Sequence, residues 1–409
     1  MLCRLQKQNQ MKSIYIFFLA VILMNTTVKA QPVKNKAASV FVTGFVFEDK
    51  NANGIKDKNE PGIKSVAVSD QVNIVLSNDE GYYKLPVGDG YGIVYISMPD
   101  GYETMDSFWR PTNDVNDPIP VNFSLRKTKN TAHFSFVHAS DTHISPSSID
   151  RMAKLQRIVD SVNPDFVIIT GDLVKDALRV SEKEATGYYE LFEKERNKFS
   201  SRVWTVPGNH ELFGIERHLS LVSSSNPLYG RKMYRHYFGP DYYSFNYGGV
   251  HFVGLNSLDF EDLWYYGRID STQIEWLKKD IATVSPATPV ITFQHVPFYS
   301  GGLSLQPFED SGPGRVIERE KGILQYRHVV SNAQEVMTIL NGHNYPVSLA
   351  GHYHFQQRFS MAGITTRFEQ TAAVTGPSNE GVFNMPSGVT LYTVHEGKVD
   401  EGRFIFLDK

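Results

Sequence analysis

The chain has 409 residues, 41% of them hydrophobic, enough for two or three packed domains. A formal net charge of −3, with no dominant charge block, excludes a general binder of nucleic-acid duplexes, whose affinity rests on neutralising phosphates.

Residues 1–30 read as a targeting segment rather than fold. Lys12 precedes the apolar run Ile14–Met24, which is too short to cross a bilayer, since a spanning helix needs about 20 residues. Val28-Lys29-Ala30 fits the small-residue pattern before a signal-peptidase cut, which makes Gln31 the expected mature start, and Met11 is an alternative initiator. The expectation is export to the periplasm or beyond, with no transmembrane anchor left after cleavage. Cleavage removes Arg4, Lys7, Lys12, Lys29 and the single cysteine, Cys3. A mature chain without cysteine suits an oxidising compartment and excludes thiolate metal sites and a cysteine nucleophile.

Residues 31–39 read as a linker. From 40 to 126, short β-type runs such as "SVFVTGFVFED" and "VNIVLSNDEGYYKLPV" alternate with turn signals and show no helical period, which predicts a small all-β sandwich. Within it, "DKNANGIKDKNE" places Asp49, Asn51, Asn53, Asp57 and Glu60 at positions 1, 3, 5, 9 and 12 of an EF-hand-like loop. Gly54 stands at 6 and the Ile55 carbonyl at 7. Two readings stand: a loop holding one calcium ion, or an Asn/Gly-rich turn held by its own side chains. Residues 127–130 form a hinge.

Beyond Thr131, apolar strand-like runs alternate with amphipathic helices over 132–409, as in a layered α+β domain. Helices are expected at 149–162, 181–199, 271–284 and 332–340. The runs end in polar groups: "FVHASDTH" in Asp141 and His143, "VIITGD" in Asp172, "WTVPGNH" in Asn209 and His210, "VITFQH" in His295, and "VSLAGHYH" in His352 and His354. Strands of a shared sheet deliver such ends to one edge. Seven N/O donors without sulfur describe a two-metal centre, and the Asp172 carboxylate can bridge both ions. The x-spaced pairs place both donors on one side of an extended backbone. Any one of these residues alone is better read as a loop or core residue, as are His133, His138, His218, His236, His251, His328, His343 and His395, which lack the strand-end pattern.

The five blocks in this order, D-x-H, G-D, G-N-H-E, a strand-end His and G-H-x-H, resemble the calcineurin-like metallophosphoesterase superfamily. The resemblance implies a β-sandwich core flanked by helices with the metal site at the sheet edge. It also implies that Asp141, His143, Asp172 and His354 hold one divalent ion and Asp172, Asn209, His295 and His352 the other, with a metal-bridging hydroxide attacking a phosphomonoester or phosphodiester. By the same resemblance His210 assists the leaving group, and Glu211 is read as orienting it. Purple acid phosphatases carry a tyrosine three residues after the bridging Asp. Here Lys175 stands there, so Mn, Zn or Fe(II)-type ions fit better than a tyrosinate-ligated ferric centre. Residues 40–126 resemble the prealbumin-like N-terminal domain of some exported bacterial members.

Two insertions are expected to shape the substrate site, the partner being a small-molecule, lipid or sugar phosphate ester. Residues 296–322 show no obvious helix or strand and offer Tyr299 and Phe308 for stacking and Arg315 for an anion. Residues 226–243 offer Arg231, Lys232 and Arg235 as phosphate contacts, and Asn209 serves substrate as well as metal. The alternative to an enzyme is a non-catalytic binding protein on a phosphoesterase fold. The complete donor set disfavours it.

Overall fold

A computed structural model of the chain describes residues 40–87, 90–112, 120–128, 132–305, 316–319, 322–380 and 383–408. The expected targeting segment and linker, Phe308, Arg315 and part of the 127–130 hinge lie outside the described residues.

The N-terminal region is all β. One four-stranded sheet runs Tyr82–Pro86, Phe41–Glu48, Phe123–Lys127, Tyr102–Thr104, and the other runs Ile74–Leu76, Ala67–Ser69, Ile93–Ile96, Trp109–Pro111. All neighbours are antiparallel except Phe41–Glu48 against Phe123–Lys127. Alternate side chains of these strands, Val46, Val68, Leu85, Val94, Ile96, Phe123 and Leu125, are buried in one core. The Asp49–Glu60 loop closes on itself. Asp49 accepts from the N–H groups of Asn53 and Gly54, Asp57 Oδ2 from the amides of Asn51 and Asn53, and Glu60 from the N–H groups of Lys50 and Asp57.

The larger region is built on two six-stranded sheets. One orders Arg202–Val206, Phe166–Thr170, His133–Ala139, Gly388–His395 and Lys398–Val399, with Arg403–Phe406 also paired to Gly388–His395. The other orders Tyr243–Tyr247, Val250–Gly254, Val290–Phe293, Val347–Ala350, Arg367–Gln370 and Gln357–Phe359. Strand Phe166–Thr170 shows why its sequence is apolar throughout. Phe166 and Ile168 face the second sheet with Phe245 and Phe252, while Val167 and Ile169 pack on Met152, Leu155 and Val159 of helix Ile149–Val162. A strand covered on both faces has no polar side to alternate with.

The expected helices are present with trimmed ends: Ile149–Val162, Glu182–Arg196, Ser271–Ile281 and Ala333–Leu340. Ser181 and Asp270 cap the second and third by accepting from the N–H groups of Glu184 and Gln273. One expectation of irregular chain is corrected: the 296–322 insertion contains strand Val316–Arg319, paired with Ile323–Tyr326. Residues 226–243, for which no element was expected, contain helix Lys232–Phe238. Both are short, and a four-residue strand carries too few positions for its period to stand out.

The two regions meet through polar contacts, buried around Gln71 and exposed around Asp100. The Gln71 amide donates to Asp241 Oδ1 and Tyr242 O, and the Tyr242 hydroxyl donates back to Gln71 O at 2.6 Å. Asp100 accepts from the N–H groups of Gly248 and Gly249. Among the described residues no helix is long and apolar enough to cross a membrane.

Candidate metal centre

The first sheet delivers Asp141 and His143 after strand His133–Ala139, Asp172 after Phe166–Thr170 and Asn209 after Arg202–Val206. The second delivers His295 after Val290–Phe293, and His352 and His354 after Val347–Ala350. Each strand stops where its ladder ends, so the chain must turn within one or two residues. Asp141, His143, Asp172, His352 and His354 all lie in the left-handed region, with φ between 39° and 77°. That corrects the extended backbone expected for the two x-spaced pairs: the donors converge because the chain curls at each one. The turns are tied to one another, the N–H of Asp141 donating to Gly171 O and that of His143 to Asp172 O.

Two glycines make the approach possible. Gly171 turns at φ 80°, and a Cβ there would lie 2.6 Å from the Gly208 nitrogen. A Cβ on Gly208 would meet Asp172 N and Oδ1 at 2.2 Å.

Two groups of ligand atoms, each within 4.8 Å, share Asp172: Asp141, His143, Asp172 and His354, and Asp172, His295 and His352. Asn209 joins the second, its Oδ1 3.2 Å from His295 Nε2. Tautomers follow from the partners. His295 Nδ1–H donates to Thr170 O at 2.8 Å, which turns the Nε2 lone pair toward Asp172 Oδ2 at 3.3 Å and His352 Nδ1 at 3.1 Å. Four acceptor atoms thus crowd one point, and a single proton cannot satisfy them. In the other group His143 Nε2 and His354 Nε2 stand 3.3 Å apart, and the buried Asp141 Oδ1 accepts no hydrogen bond although His354 Nε2 is 3.2 Å away. Buried acceptors facing acceptors are unfavourable unless a cation lies among them. The donor set fits two divalent ions with N/O ligands.

Without ions the electrostatics point the same way. Burial would raise the Asp172 carboxyl, and the imidazoles of His295 and His210 reverse this and hold it well below the usual carboxylate range. Burial works equally against the charged His295, yet Asp172 and Asp141 lift its pKa to about 9. Burial lowers His143 to about 4.

His210 sits at the rim. Its Nδ1–H donates to Lys175 O at 2.6 Å, so Nε2 faces the centre, 3.9 Å from Asp172 Oδ2. The same carbonyl takes His143 Nδ1–H at 3.5 Å. Glu211 does not orient His210, which corrects the sequence reading. Its side chain is fully buried and accepts from the N–H groups of Leu173 at 2.8 Å, Val174 at 3.0 Å and Gly208 at 2.6 Å. It therefore shapes the two turns that carry Asp172 and Asn209. Burial and the facing Asp172 charge push its carboxyl up to about 8.

The expected substrate contacts fare differently. Arg231 is enclosed by Asp270 at 2.5 Å, Asp259 at 3.0 Å and Leu258 O at 2.6 Å, and so is tied into the fold rather than offered to phosphate. Arg235 is bound by both oxygens of Asp241 and covers the Tyr91 ring, while Lys232 is exposed beside it, facing the N-terminal region. Tyr299 packs on Phe359 and Phe368, its hydroxyl accepting from Gln334.

One residue next to the centre escaped the sequence reading. His328 Nδ1 lies 2.7 Å from His352 Nε2, with the rings stacked at 4.9 Å. With Nδ1 turned to the centre and Nε2 to His328, the His352 ring is fixed from both sides. The only sequence signal was a long insertion after a strand-end histidine.

Residues 134–356 match the family model described as calcineurin-like phosphoesterase, and residues 50–128 match that described as the N terminal of calcineurin-like phosphoesterase. A probable cyclic nucleotide phosphodiesterase of Rhodococcus erythropolis is 22% identical over 257 residues, covering 60% of this chain and 73% of its own length. A probable purple acid phosphatase of Arabidopsis thaliana is 29% identical over 172 residues, 39% of this chain and 33% of the relative. Among solved structures, a dimetal phosphatase from Danio rerio aligns with a TM-score of 0.42 at 14% identity, over 67% of this chain and 99% of that one.

Proposed function

Because the chain belongs to the calcineurin-like phosphoesterase family, its matching region spanning residues 134–356, we propose that it is an exported two-metal hydrolase of phosphomonoesters or phosphodiesters. The observation that carries this reading is the pair of acceptor clusters sharing Asp172. Asp141, His143, Asp172 and His354 would hold one divalent ion, and Asp172, Asn209, His295 and His352 the other. Mn, Zn or Fe suits the sulfur-free set. Bound there, such ions would acidify water and neutralise charge on the phosphoryl oxygens. The protein's own part is positional. Thr170 O and Lys175 O hold the His295, His143 and His210 rings by their Nδ1–H groups, and Glu211 holds the turns. His210, its Nε2 facing the centre, would pass a proton to the departing oxygen. Export is supported by the apolar run Ile14–Met24 and the small-residue site at Ala30.

The test is a side-by-side rate on an aryl phosphomonoester and a bis-aryl phosphodiester with Mn-loaded protein. Hydrolysis of at least one is expected, and the ratio names the reaction class. Two bound ions with no turnover of either ester would favour the non-catalytic binding protein instead.

A further inference from the structure

Far from the centre, the turn joining Tyr102–Thr104 to Trp109–Pro111 faces the segment from Arg196 to Trp204 across a cavity of about 370 Å³. Two arginines line it. Arg196 ends helix Glu182–Arg196, and its guanidinium stands 5.1 Å from the Phe238 ring with no hydrogen bond or ion pair among the described residues. Arg202 opens strand Arg202–Val206, covers the Trp204 ring at 5.1 Å and donates once, to Thr104 Oγ1 at 2.5 Å. Among the described residues the only carboxylate in the lining is Asp106, and Arg110 holds both its oxygens at 2.8 Å.

Several other half-buried arginines have acids: Arg179 has Asp176 and Glu216, Arg231 has Asp259 and Asp270, Arg235 has Asp241, and Arg367 has Glu369. Burial lowers the pKa of Arg196 and of Arg202, and neither Tyr234 and Glu193 beside the first nor Glu103 and Tyr243 beside the second fully offsets it, whereas ion-paired acids raise Arg179 and Arg231. Two guanidinium groups sharing a cleft, neither in a direct ion pair among the described residues, gain from an anion that joins them.

We infer that this cleft is an oxyanion site, in which Arg196 and Arg202 grip a phosphate or carboxylate group while Phe108, Trp204 and Phe238 receive the rest of the ligand. Planar guanidinium forks match both oxyanions, and a cavity of this size falls in the range of about 300–1,000 Å³ usual for small-molecule pockets. The site is separate from the metal centre. Arg202 begins the strand whose other end leads to Asn209, and five extended residues span roughly 17 Å.

The experiment is arginine labelling of the intact, metal-loaded protein with phenylglyoxal in an oxyanion-free buffer, mapped by peptide mass spectrometry. Inorganic phosphate and benzoate are the probes, and acid-paired Arg179 is the internal reference. Slower labelling of Arg196 and Arg202 with either probe is expected, with the more protective probe identifying the group bound. Labelling unchanged by saturating amounts of both overturns the site. Calorimetry of Arg202→Gln gives a second reading: phosphate or benzoate affinity at this site should fall at least about tenfold, as for loss of a charge-assisted hydrogen bond, and an unchanged isotherm overturns the proposal. Aryl phosphate hydrolysis by the same preparation should stay at the unsubstituted rate, so failure of this site and failure of the phosphoesterase reading show up in different measurements.

Discussion

The Asp49–Glu60 loop and the 141–354 centre are both rich in acceptors, and they differ in what faces those acceptors. In the loop, both oxygens of Asp49 and both of Glu60 receive backbone N–H groups. At the centre, His295 Nε2 faces Asn209 Oδ1, His352 Nδ1 and Asp172 Oδ2, while Asp141 Oδ1 has no hydrogen bond. A ligand-like spacing describes both regions, but only the second has acceptors that the protein leaves unmatched. A cation is demanded by the balance of donors and acceptors, more than by the presence of oxygens and nitrogens.

The sharpest way to break this contrast is Asp172→Ala, which removes the atom common to both clusters. It should lower hydrolysis by at least about 10³-fold and reduce the ion count by elemental analysis. Full activity with both ions retained would overturn the assignment. His210→Ala should cost about 10²–10⁴-fold in turnover while leaving both ions bound. The loss should shrink for esters whose leaving group needs no proton, and an equal loss across leaving groups would argue against proton donation. Gly208→Ala forces a Cβ onto Asp172 N and Oδ1 and is expected to cost about 10²-fold through misplacement, visible as lower kcat with the fold intact by circular dichroism.

Two smaller effects sharpen the comparison further. His328→Ala frees one side of the His352 ring and should weaken binding of one ion by about 10–100-fold, read by competition with a chelator and partly restored in His328→Gln. Asp49→Ala strands two N–H groups of the loop and should cost about 1 kcal/mol in urea unfolding, leaving hydrolysis and the two central ions unchanged. An ion count that falls from three to two in this variant would establish the loop as a calcium site.

The architecture was legible where strands are buried on both faces, because "DFVIITGD" or "PVSLAGHYH" leaves no doubt about the run or the polar group that ends it. Helix positions were legible from their periodicity, with ends trimmed by three residues at Arg196 and at Ile281. Roles that depend on distant partners were not. Glu211 and His210 are adjacent in sequence, and nothing local indicates that one side chain turns inward to three N–H groups while the other faces the centre. Arg231 and Arg235 looked like phosphate ligands until Asp241, Asp259 and Asp270 were seen to enclose them, and the pairings reach up to 39 residues along the chain. His328 meets His352 across 24 residues, with helix Ala333–Leu340 and strand Val347–Ala350 between them.

The left-handed backbone at Asp141, His143, Asp172, His352 and His354 has an evolutionary consequence. Each is a side chain placed where glycine would be more comfortable, at a cost of about 1 kcal/mol. A descendant released from its chemistry would gain robustness by exchanging them, so random drift runs downhill toward an inert, sturdier protein. Decay of the centre should therefore be quick in any line where selection on it lapses.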